Sequence, residues 1–246
     1  MTVVMQGPLV SASEAVVPYD NDGVTSSSLP YPTMQLTGHE GSVYALEYSP
    51  NGSNLCSTSF DKTCLLWSHN DYTNYNLLRR HKNAVLDCRW LDDETIVTVG
   101  ADKMCYLWDA DSGKSVRKWA HHSGIVNMVD TIDSTRAVSA SDDGTCLVWD
   151  VRQKSPVVCL EIASDDGITL PAISVAASSE SSQVFTGGID NRITCWDIKM
   201  QRKLYSLQGH LDTITSLRLS PDSTQLLSNS MDHTLRIWDV QHFVTD

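Results

Sequence analysis

The chain has no apolar run approaching the ~20 residues that a membrane-crossing helix needs. Its first residues lack the basic start and apolar stretch of a secretory signal. Its seven cysteines are odd in number and form no C-x-x-C pair, which speaks against a short disulfide framework or a zinc ribbon. They read as reduced thiols of the cytosol or nucleus. Basic residues are scarce: 18 Lys and Arg stand against 30 Asp and Glu, a net charge of −12. Such a chain repels phosphate, which argues against sequence-independent binding to nucleic acid. Helical spacing of apolar residues is absent, and so are the G-x-S-x-G and H-E-x-x-H signatures.

What the sequence does have is a repeat. Residues 1–32, rich in Ser and Pro, show no sustained period and read as a disordered tail. Residues 33–246 are organised around Trp67, Trp108, Trp149, Trp196 and Trp238, spaced 41, 41, 47 and 42 residues apart. The last four are followed by Asp109, Asp150, Asp197 and Asp239; Ser68 follows the first. Within each unit, short alternating runs separated by turn residues predict strands, as in Val43–Tyr48, Asn54–Ser59 and Cys64–Trp67. Four-stranded sheets repeated at this period predict an all-β propeller with five blades.

Polar residues keep phase with the tryptophans. Six residues before each stands an aspartate: Asp61, Asp102, Asp143, Asp190 and Asp232. Ten before stands a hydroxyl: Ser57, Thr98, Ser139, Thr186 and Ser228. A histidine precedes four of them by 27 or 28 residues: His39, His81, His121 and His210; the fourth unit has Ile168 there. The chemistry is that of a buried relay. The indole N–H needs an acceptor, the hydroxyl supplies one and donates onward to imidazole, and the carboxylate takes the other ring nitrogen. His, Ser and Asp together also suggest a hydrolytic triad. A nucleophile must be singular and exposed, whereas this set recurs unit after unit, so no catalytic, cofactor or metal residues are assigned. Cys64, Cys105 and Cys146, three residues before their Trp, fall on the opposite strand face and read as packing. The residues just before the turn aspartates include Phe60, Ile189 and Met231, the candidates for contact with a partner.

The Trp-Asp endings, the Gly38-His39 and Gly209-His210 pairs and the 41–47 residue period resemble the WD-repeat family over residues 33–240. Leu36–Tyr44, Gly187–Asn191 and Leu226–Asp232 are similar to the spliceosomal members of the U5 small nuclear ribonucleoprotein. That resemblance implies a non-catalytic scaffold in the nucleus, acting in pre-mRNA splicing and bound to the large U5 scaffold protein. A ubiquitin-ligase adaptor, or a cytoplasmic complex, is the alternative. The resembling proteins have seven blades, so five imply an open arc. Its bare faces are expected around Trp67 and Leu65 in the first blade and around Trp238 and Ile237 in the fifth. Alternatively, Thr33–Leu36 closes a small ring as the fourth strand of blade five.

Overall fold

The computed structural model describes residues 35–241 apart from Asp165, Ser179 and Ser181; the predicted tail 1–32 lies outside them. Among the described residues nineteen strands form five antiparallel meanders. Blade one holds β1 (Val43–Tyr48), β2 (Asn54–Ser59), β3 (Thr63–Ser68) and β4 (Asn74–Arg79). Blade two holds β5 (Val85–Trp90), β6 (Thr95–Gly100), β7 (Cys105–Asp109) and β8 (Ser115–Trp119). Blade three holds β9 (Val126–Asp133), β10 (Arg136–Ser141), β11 (Thr145–Asp150) and β12 (Val158–Glu161). Blade four holds β13 (Ala172–Ala177), β14 (Gln183–Gly188), β15 (Arg192–Asp197) and β16 (Arg202–Gln208). Blade five has three strands among the described residues: β17 (Ile214–Leu219), β18 (Gln225–Ser230) and β19 (Leu235–Asp239).

The turn between the second and third strands is built alike in every blade. The residue after the turn aspartate has positive φ each time: Lys62, Lys103, Gly144, Asn191 and His233. A left-handed residue matches the right-handed twist of a tight hairpin. In blade one Asp61 compensates its strain by accepting the Thr63 amide at 2.9 Å and the Thr63 hydroxyl at 2.5 Å. Only at Gly144 is the left-handed residue in these turns a glycine, and there a Cβ would collide with Thr169 Cγ2.

Strand alternation gives each blade two apolar faces, and the joints between blades repeat one pattern. Cys56, Cys64, Leu66 and Leu78 of blade one pack on Trp90, Ile96 and Trp108 of blade two. Val97, Val99 and Cys105 of blade two meet Ala137, Leu147 and Trp149 of blade three. Val138, Cys146 and Val148 meet Val175, Val184 and Trp196, and Phe185, Ile193 and Cys195 meet Leu217, Leu226 and Trp238. The face opposite each Trp therefore packs on the Trp face of the next blade.

The first strands β1, β5, β9, β13 and β17 lie side by side in that order, and among the described residues the sheets do not close into a ring. Thr33 and Met34 are outside the described residues, and Gln35 and Leu36 form no strand, so among the described residues β19 has no outer partner. The expected bare faces need correction. Trp67 and Leu65 lie on the unpaired face of blade one but are themselves buried; Tyr44, Leu46, Tyr48 and Leu77 are the exposed residues there. In blade five the bare face carries Leu227, Leu235 and Ile237, whereas Trp238 points the other way, onto blade four. Neighbouring residues of a strand cannot share a face, so Trp238 and Ile237 never belonged together.

Candidate functional site

The hydroxyl and the tryptophan are diagonal neighbours on one face of the hairpin of the second and third strands, Ser57 pairing with Leu65 and Trp67 with Leu55, and this register fixes their separation. Trp67 Nε1 donates to Ser57 Oγ at 2.9 Å and Trp108 Nε1 to Thr98 Oγ1 at 2.8 Å. Trp149 donates to Ser139 at 2.8 Å, Trp196 to Thr186 at 2.9 Å and Trp238 to Ser228 at 2.8 Å. His39 Nδ1 lies 2.9 Å from Asp61, and its Nε2 lies 2.8 Å from Ser57 Oγ. His81 joins Asp102 and Thr98 at 2.9 and 2.8 Å. His210 joins Asp232 and Ser228 at 2.8 and 2.7 Å. One proton arrangement satisfies all members: indole to hydroxyl, hydroxyl to Nε2, and Nδ1–H to carboxylate.

In blade three the imidazole is His122 and not His121: it lies 2.9 Å from Asp143 and 2.7 Å from Ser139. The cause is turn length. The turn after the first strand has five residues in blade one (49–53) and four in blade two (91–94), so the histidine's distance from its Trp varies by one. Blade three follows blade two, whose His81 stands 27 residues before Trp108, and that count was the available signal for His122. His121 only edges the ring of Trp149, with centroids 5.8 Å apart. Blade four has no imidazole in its set; Ile168 is turned outward, and Asp190 accepts the Arg192 amide at 3.3 Å.

The glycine before the histidine has a steric reason. A Cβ on Gly38 would come within 2.9 Å of Leu65 Cδ1 and 3.2 Å of Trp67 Cη2. Blade two puts Arg80 there instead, with its guanidinium 5.4 Å from the Tyr106 ring centroid.

Burial raises the Asp143 carboxyl, but hydrogen bonds from Thr145 and His122 outweigh it and hold the group down at about 2. Burial lowers the His122 imidazole, with Asp143 opposing, which keeps the ring neutral as the relay requires. Asp143→Ala should destabilise the chain by about 1–3 kcal/mol, because His122 and the turn amides lose a buried acceptor. Asp190→Ala should cost less, since no imidazole depends on it. Equal losses in urea melts would refute the relay. A depressed carboxyl stabilises fully above its unfolded value and loses that contribution as it is protonated in the fold. The stability gap between the chain and Asp143→Asn should therefore close as pH falls from about 4 towards 2. A gap unchanged at pH 2 would show that the ionised carboxylate contributes nothing.

Because His and Asp are bonded in four blades, the histidine loops and the aspartate turns share one rim of the arc. Phe60, Ile189 and Met231 stand on this rim, 59%, 47% and 59% exposed, joined by Leu211 at 82%. Sequence reasoning missed a second cluster on the first strands. Arg89, almost wholly buried, lies 3.2 Å from Asp87, 3.5 Å from Glu47 and 3.4 Å from Asp130. Carboxylates here also stitch blade to blade. Glu47 accepts the Trp90 amide at 2.8 Å, Asp87 that of Val129 at 3.1 Å and Asp130 that of Ala177 at 2.9 Å. Among the described residues no group of His, Cys, Asp and Glu is arranged to hold a metal ion.

The family model of the WD domain, G-beta repeat, matches residues 30–68, 73–109, 113–150 and 201–239. The chain belongs to the WD40 family. The four matches coincide with the WD40 blades that keep an imidazole, and blade four, which lacks one, falls between the third and fourth. Pre-mRNA-splicing factor cwf17 of Schizosaccharomyces pombe is 38% identical over 192 residues, 78% of this chain and 56% of that protein. The U5 small nuclear ribonucleoprotein 40 kDa protein of Dictyostelium discoideum is 37% identical over 190 residues, 75% of this chain and 52% of its own length. Its Homo sapiens counterpart is 50% identical over 54 residues, 22% of this chain and 15% of that protein. The chain thus spans about half the length of the first two of these curated relatives.

Proposed function

We propose that this WD40 chain is a non-catalytic protein-interaction scaffold of the pre-mRNA splicing machinery, working in the nucleus as part of a U5 small nuclear ribonucleoprotein. The observation that carries the reading is the similarity to a splicing factor over 78% of the chain. In this reading the partner is the large U5 scaffold protein, held on the rim by Phe60, Ile189 and Met231. Exposed apolar side chains on a rigid frame suit such contact. A scaffold role also accords with the relay hydroxyls being buried and committed to Trp and His, which leaves them no freedom as nucleophiles. The net charge of −12 favours protein over nucleic acid as the direct partner.

The test is affinity capture from nuclear extract with the tagged chain, followed by mass spectrometry. Enrichment of U5 proteins, lost when Phe60, Ile189 and Met231 are all changed to Asp with the fold intact, is expected. Capture of ubiquitin-ligase subunits in place of splicing proteins would overturn the reading.

A further inference from the structure

Blade four departs from its neighbours in a way that leaves space. In blades one, two, three and five an imidazole fills the corner between Trp, hydroxyl and aspartate. In blade four the chain folds back on itself there: Ala163 bridges Thr169, and the Leu170 amide donates to Ile162 O at 2.9 Å. Ile168 holds the place of the histidine, four residues before its first strand as His39 is before β1, yet it is 64% exposed. A cavity of about 300 Å³ remains, lined by Glu161, Leu170, Asp190, Thr194, Trp196 and Lys203 among others.

The lining shares the tryptophan and the aspartate of the imidazole corner elsewhere, whereas the hydroxyl Thr186 is not part of it and Arg192 is. Trp196 is in the relay position and, like Trp238 in the last blade, only partly buried, whereas Trp67, Trp108 and Trp149 are buried. Thr194 is the counterpart of Leu65, against which the Gly38-His39 corner packs in blade one. Asp190 occupies the place of the carboxylates that accept Nδ1–H. The other four aspartates each accept a histidine and an amide beside it; among the described residues the Arg192 amide is the one donor found at Asp190. The volume exceeds one ring, so what fits is a short peptide segment with its side chain.

We infer that the blade-four cavity is a binding site for a histidine-bearing segment of a partner protein, whose imidazole donates to Asp190 beside Trp196, as a histidine of the chain itself bonds the matching aspartate in the other four blades. Exposed apolar groups flank the opening in the chain: Ile168 lies between the lining residues Asp166 and Leu170, and Ile189 precedes Asp190. The segment therefore carries an apolar residue next to its histidine. The inference rests on the scaffold reading, in that the histidine belongs to a partner.

The test needs no partner, so the two readings fail separately. The whole chain, labelled with ¹⁵N, is titrated with the blocked tripeptide acetyl-Gly-His-Leu-amide and followed by NMR. The Trp196 indole N–H, assigned through Trp196→Phe, is expected to shift saturably while the other indoles stay in place. Asp190→Asn should weaken binding tenfold or more, and Leu170→Phe, which fills the cavity, should abolish it. The second variant decides the matter if the first fails to fold. Acetyl-Gly-Arg-Leu-amide should bind at least tenfold more weakly. Equal binding of the arginine peptide would overturn the imidazole assignment. The absence of a saturable shift, or shifts spread over all the indoles, would overturn the site.

Discussion

Replacing Arg89 by alanine is expected to lower the unfolding free energy by about 3–5 kcal/mol, read from urea melts at pH 7. The guanidinium is almost wholly buried among Asp87, Glu47 and Asp130, three carboxylates from three different blades. Burial already pushes the Glu47 carboxyl up to about 7, with Arg89 opposing. Burial likewise raises Asp87, again against Arg89. Without the cation these acids are left close together in a low dielectric, and they must either repel or take up protons. Lysine should not rescue fully, because a point charge cannot face three acceptors as a planar fork does. A loss below about 1 kcal/mol for Arg89→Ala would show the cluster to be solvated and energetically idle.

The second large effect concerns the two bare faces. Inter-blade contacts of this kind bury several hundred Å² of apolar surface each, which at ~25 cal/mol per Å² is on the order of 10 kcal/mol per joint. That is comparable with the whole net stability of a domain, about 5–15 kcal/mol. Purified residues 1–246 should therefore self-associate, with Tyr44, Leu46, Tyr48 and Leu77 on one face and Leu227, Leu235 and Ile237 on the other available for contact. Light scattering on a sizing column should report species larger than 27.2 kDa. Leu46→Glu combined with Ile237→Glu should return the monomer. A monodisperse, sharply melting monomer of the unaltered chain at high concentration would refute the open arc.

How much of this was readable beforehand depends on which part of the repeat is stiff. The Trp, hydroxyl and aspartate offsets are constant because all three sit on one hairpin, whose register cannot slip by a residue without turning every side chain over. The histidine sits beyond a turn of variable length, and in blade three two adjacent histidines offer themselves: a 28-residue count points to His121, whereas the fold uses His122. The bare face of blade five was misplaced for a different reason: Trp238 and Ile237 are adjacent along a strand and point to opposite sides. Arg89 was invisible because nothing in Val85–Trp90 tells how closely the first strands of successive blades approach. The cavity in blade four was half visible: the missing histidine could be read, but not that the chain would fold back and leave the corner empty.

The carboxylate stitches set the order in which the arc would come apart. Joints one–two, two–three and three–four each carry an acid of one first strand bonded to the backbone of the next. Strand β13, Ala172–Ala177, has no acidic residue, and blade five reaches past it through Arg218, 3.8 Å from Asp130. Among the described residues no such acid stitch joins blades four and five; their joint is packed by side chains, and the ionic contact of blade five runs to blade three. Under a stretching load, or in slow exchange of amide hydrogens with heavy water, blade five should be the first to peel away.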